Sequence, residues 1–81
     1  MPYIDKQKRK NVIVYGALNA GELNYEITMV ITQYMLKKGL KYQVINDIIG
    51  ALEGAKLEFY RRAVTPYEDM KKDLNGDVYH L

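Results

Sequence analysis

An all-α domain of three main helices, with a long central one, is what the sequence predicts, and three observations predict it. Apolar residues recur at three- and four-residue intervals through the middle of the chain, Gly39 and Pro66 stand where that periodicity lapses, and no second strand-like segment exists to pair with Val12-Ile13-Val14-Tyr15.

The first element rests on that last point. Val12 to Tyr15 has strand composition, yet Ile4, Val12, Tyr15 and Leu18 can share one helical face, so the spacing predicts a helix over about 5–18. A loop is expected at Asn19-Ala20-Gly21. In the second element Leu23, Ile27, Val30, Ile31 and Tyr34 give one apolar face over 22–38; Lys37 and Lys38 suit the negative end of the helix dipole and Gly39 the stop. The third runs over 42–64 on Ile45, Ile48, Ile49, Leu52, Ala55, Phe59 and Ala63. It is expected to stop near Val64, because proline pushes the preceding residues away from helical dihedrals. Thr65-Pro66-Tyr67-Glu68 then reads as a capping box opening a helix over 66–74, and Asn75-Gly76 as the turn into an extended tail, 75–81. The whole chain, 1–81, reads as a single helical domain.

At 81 residues, a domain buries only roughly 60% of its unfolded surface. Self-association as a homodimer or higher oligomer is therefore expected. Gly50-Ala51 and Gly54-Ala55 place two small pairs four residues apart, a pattern that flattens a helix for close approach of another, either within the chain or across a two-fold axis.

Composition removes several functions. Cysteine and serine are absent and the one histidine, His80, adjoins the C-terminus, so disulfides, a Cys/His zinc site and serine or cysteine triads are excluded. Glu22, Glu26, Asp47 and Glu53 can in principle take magnesium, but no repeated Glu-x-x-Glu accompanies them. No enzyme activity, metal or cofactor is expected. The run Val12 to Tyr15 is too short for a secretory signal, and no run approaches the roughly 20 apolar residues of a membrane span. The chain reads as cytoplasmic. A net charge of +2 is too small to expect nucleic-acid binding, and the block Lys6, Lys8, Arg9, Lys10 reads first as a solvated helix start and only third as a contact to DNA.

The C-terminal half carries most of the recognition chemistry. Arg61 and Arg62 follow Tyr60, and guanidinium forks grip phosphate or carboxylate bidentately. The simpler alternative is that Glu58 pairs with one of them at i+3 or i+4. Tyr67 offers a stacking face, Glu68 the capping carboxylate, and Asp69 is uncommitted. In the tail, Asn75 and Asp77 can meet sugar hydroxyls if the segment docks, a solvated end being the alternative. The candidate site is thus Tyr60, Arg61, Arg62, Tyr67, Asp69, Asn75 and Asp77.

The runs Gly21-Glu22-Leu23-Asn24-Tyr25, Ile45-Asn46-Asp47-Ile48-Ile49-Gly50-Ala51-Leu52-Glu53 and Ala55-Lys56-Leu57-Glu58-Phe59-Tyr60-Arg61-Arg62 are similar to a family of small proteins of unknown function found in phages and bacterial genomes. Pro66-Tyr67-Glu68-Asp69 and Asn75-Gly76-Asp77-Val78-Tyr79 continue the resemblance over most of the chain, with a segment between Tyr3 and Gly21 shorter than the family pattern. The resemblance implies a helical architecture and a phage or prophage origin, hence the host cytoplasm, and no activity. Together these features lead us to expect a non-enzymatic accessory protein that sequesters a small anionic, nucleotide-derived ligand such as a host defence signal. The rival expectation is a protein-interaction module that meets a host or phage protein through the same tyrosines and arginines.

Overall fold

A computed structural model describes residues 2–79. Every regular element among them is helical: α1 (Lys6–Tyr15), α2 (Ala20–Lys38), α3 (Tyr42–Phe59), a π-helical turn (Tyr60–Val64) and α4 (Thr65–Asn75). The chain divides into two compact units, Met1–Ile48 and Ile49–Leu81, with the division inside α3.

In the first unit the Val12 to Tyr15 run is helical, as the lack of a strand partner requires. Asp5 caps α1, its carboxylate accepting from the Lys8 amide at 3.0 Å. The helix ends at Gly16, short of the expected Leu18, because Gly16 adopts φ +84°, where a side chain is strained. α2 begins earlier than expected. Asn19, assigned to a loop, is its N-cap: Asn19 Oδ1 accepts from the Glu22 amide at 2.9 Å, and the Glu22 carboxylate accepts from Asn19 Nδ2 at 2.8 Å and from the Leu18 amide at 3.3 Å. In this variant of the capping box, Asn19 satisfies an amide that the first turn of α2 leaves unpaired, and Glu22 reaches back to the Leu18 amide just ahead of the cap. Its carboxylate is buried at 7% exposure, beside the positive end of the α2 dipole.

Val12 on α1 and Val44 on the first turn of α3 are the buried apolar residues among those described. Arg9 of the basic block is not simply solvated: its Nε–H donates to the Ile4 carbonyl at 2.8 Å and its guanidinium lies 5.7 Å from the centre of the Tyr25 ring. Asp47 accepts from the Tyr34 hydroxyl at 3.0 Å and from Gln43 Nε2 at 2.8 Å.

The bond from Tyr34 has a measurable consequence. Its phenol is held above the ordinary value of 10, first by donating to the Asp47 carboxylate, then by burial, then by that carboxylate's charge. A folded pKa above the unfolded one adds stability that is whole below about pH 10 and is lost as pH rises through the folded value. Absorbance titration is expected to show Tyr34 ionising above pH 10, a rise that Asp47→Ala removes; a Tyr34→Phe protein with an unchanged alkaline titration contradicts the assignment.

The second unit is simpler. The remainder of α3 passes into the π turn and then α4 without leaving helical dihedrals: Phe59, Val64 and Thr65 all have right-handed helical φ and ψ. This corrects the expected stop at Val64 and the expected cap at Thr65, which makes no capping bond. Proline lacks an amide for the carbonyl four residues back and its ring collides with that carbonyl. Widening the turn relieves both: the Thr65 amide donates to Tyr60 O, five residues earlier. The helix therefore passes Pro66 unbroken. Within this unit no second helix lies beside it, and no residue from Ile49 to Tyr79 is buried.

Candidate functional site

Tyr60, Arg61 and Arg62 all lie on the π turn, so the distortion that accommodates Pro66 also sets how the candidate cations are displayed. Arg61 follows the simpler alternative: its Nη2 donates to both oxygens of Glu58, at 2.7 and 3.0 Å. Both side chains are more than half exposed, and such a surface pair contributes about 0.2–1 kcal/mol. Arg62 has no ion-pair partner among the described residues. The rings of Tyr60 and Tyr67 are 49% and 58% exposed, open to a stacking ligand. Lys71 lies over Tyr67, its Nζ 5.7 Å from the ring centre.

Asp69, Asn75 and Asp77 belong to a different feature. The tail beyond Gly76 runs back along α4 and leaves an open groove of about 450 Å³, lined by these three with Lys71, Lys72 and Tyr79 among others. Gly76 makes the reversal possible at φ +88°. Asp77 then fixes the tail's first turn by accepting from the Tyr79 amide at 2.9 Å. Val78 and Tyr79 nevertheless stay 81% and 73% exposed, so the tail borders the groove without burying its apolar groups. His80 and the expected end of the tail lie outside the described residues.

The seven candidate residues thus fall into two groups. Asp69, Asn75 and Asp77 meet in the groove, whereas Tyr60, Arg61, Arg62 and Tyr67 do not line it. The groove's cations, Lys71 and Lys72, were missed by sequence reasoning. Their signal was present: Lys71 follows Tyr67 by four residues and Lys72 follows Asp69 by three, the spacings at which helical side chains meet. Lys72 Nζ is 3.9 Å from Asp69. With Glu68 and Asp77 also present the groove is of mixed charge.

The carboxylates considered for magnesium are otherwise engaged or dispersed. Glu22 is part of the α2 cap, Asp47 accepts from Tyr34 and Gln43, Glu53 is 3.6 Å from Lys56, and Glu26 borders a cleft of about 240 Å³ between α1 and α2. Among the described residues no three acidic or imidazole groups gather as a metal set. No helix among them is long and apolar enough to cross a membrane.

Among the described residues of their unit, a methyl group built at Gly50 or Gly54 would meet nothing within 4 Å. Gly50, Ala51, Gly54 and Ala55 are all exposed.

No curated protein and no solved structure matches this chain. Residues 1–78 match a family model described as a domain of unknown function, DUF6899, and the chain belongs to that family.

Proposed function

We propose that this is a non-enzymatic accessory protein of phage or prophage origin, acting in the host cytoplasm, that captures a small anionic, nucleotide-derived ligand around the π turn. The observation that carries the reading is the turn itself. It carries Arg62, without a carboxylate partner among the described residues, about one turn before Tyr67, whose ring is 58% exposed, while Tyr60, 49% exposed, lies on the same turn. Arg62 supplies a fork for phosphate, the tyrosines supply stacking faces, and the groove of α4 supplies Lys71, Asn75 and Asp77 for more distant polar groups. π turns within α-helices occur frequently at functional sites.

Isothermal titration against cyclic dinucleotides and ADP-ribose derivatives tests the reading. Binding tighter than about 0.1 mM, or roughly −5.5 kcal/mol, is expected for at least one of them. Arg62→Ala is expected to weaken it by about tenfold or more and Arg61→Ala by less, because Arg61 already shares its charge with Glu58. Absence of any binding at that level overturns it.

A second reading is favoured by a separate observation. Ile49, Phe59, Tyr67 and Leu74 on the continuous helix are 58–71% exposed, more apolar surface than a solvated helix tolerates. On that ground the chain is a protein-interaction module, with tyrosine and arginine at the rim of an apolar contact.

A further inference from the structure

Glu68 is left without the role its sequence position suggests. The helix continues through Thr65, whose amide is already bonded to Tyr60 O, so no cap amide remains for Glu68 to accept from. Its carboxylate makes no ion pair among the described residues and lines the groove of α4.

The other charged groups of the groove are partly committed. Lys72 Nζ is 3.9 Å from Asp69, and Lys71 Nζ lies 5.7 Å from the centre of the Tyr67 ring. Asp77 uses one carboxylate oxygen for the Tyr79 amide and keeps the second. What stays open is Glu68, that second oxygen and the Asn75 amide, a set in which acceptors predominate. Three carboxylates against two ammonium groups also leave the groove one net negative charge. Such a lining repels phosphate and takes hydroxyl groups, which donate to carboxylates in short charge-assisted bonds.

We infer that the groove takes the ribose of the captured nucleotide through its vicinal hydroxyls, with Glu68 and Asp77 accepting from them, while the phosphate stays outside the groove at Arg62. The inference rests on the ligand reading and deepens it by naming which part of the ligand enters the groove. The two places adjoin. Thr65 closes the π turn and also lines the groove, and Arg62 precedes it by three residues on the same unbroken helix. Carboxylates accept from ribose hydroxyls in the same way in dinucleotide-binding folds. The ligand class narrows accordingly. An ADP-ribose derivative carries a ribose with both hydroxyls free. In a 3′–5′ cyclic dinucleotide the 3′ oxygen is esterified, so the sugar offers one hydroxyl and brings a phosphate against the carboxylates.

Calorimetric titration of the full chain with ADP-ribose and with 3′–5′ cyclic diadenylate tests the assignment. ADP-ribose is expected to bind at least about tenfold tighter. Glu68→Gln keeps the size and removes the charge; it is expected to weaken ADP-ribose by about tenfold without weakening the cyclic dinucleotide. Asp73→Asn makes the same charge change on α4 but outside the groove lining, and is expected to alter neither affinity by more than about twofold. Circular dichroism establishes that both variants keep their helices. A cyclic dinucleotide that binds as tightly as ADP-ribose overturns the inference and leaves the capture reading standing, as does a Glu68→Gln protein that behaves like Asp73→Asn. Failure of both ligands to bind tighter than about 0.1 mM counts against the capture reading and takes this inference with it.

Discussion

Pro66→Ala is expected to stabilise the chain, by about 1–2 kcal/mol in urea or thermal unfolding followed by circular dichroism, although proline in a helix usually marks a deliberate break. An interior proline costs an undistorted helix about 3 kcal/mol, through the missing amide and the collision with the carbonyl four residues back. The π turn over Tyr60–Val64 relieves the collision but leaves the helix with poorer bonding geometry. With alanine at 66, an amide becomes available to the Arg62 carbonyl and the turn can tighten to α. Tyr60, Arg61 and Arg62 then rotate relative to Tyr67 and the groove of α4. The same substitution is therefore expected to weaken ligand capture while strengthening the helix. A Pro66→Ala protein less stable than the parent shows that something other than the proline holds the wide turn open.

Glu22→Ala is expected to cost about 1–3 kcal/mol, a large share of what a small domain has to lose. The carboxylate is buried and accepts from the Leu18 amide and from Asn19 Nδ2, so its removal strands two donors at the start of α2. It also removes a negative charge from the positive end of the helix dipole. Glu22→Gln keeps one acceptor oxygen and is expected to recover part of the loss, whereas Glu26→Ala, four residues on and exposed, is expected to change stability by less than about 0.5 kcal/mol. Equal effects from Glu22→Ala and Glu26→Ala count against the capping role.

Much of the helical layout could be read from the residues. The apolar periodicity of 22–38 and 42–59 is a repeated local signal, and Gly39 closes α2 where the pattern stops because its φ of +84° suits glycine alone. The pairing of Arg61 with Glu58 follows from three-residue spacing on a helix and was one of two partners open to that carboxylate. The capping box was sought in the wrong place. Thr65-Pro66-Tyr67-Glu68 and Asn19-Ala20-Gly21-Glu22 both have the required residue types at the required spacing. Only the second forms, because α2 follows a true chain reversal at Gly16 while Thr65 lies inside a helix that never ended.

The candidate site was legible as a set of residue types but not as an arrangement. Its members were placed at one corner between two helices, and that corner does not exist. Without it, Tyr60 to Tyr67 lie along one helix, and Asp69, Asn75 and Asp77 join Lys71 and Lys72 only because Gly76 turns the tail back over α4.

By itself, the sequence determined that the chain is helical, where its glycines end two of the helices, and that no sulfhydryl or serine chemistry is available to it. Tertiary structure alone decided whether the helix would stop at Pro66, which carboxylate would be buried as a cap, and which polar side chains would share a groove. The first set depends on near neighbours in the chain, whose sterics and hydrogen bonds act within one or two turns. The second depends on comparing two locally acceptable states, a break and a widened turn, that differ by a few kcal/mol, a margin no single residue's preference settles.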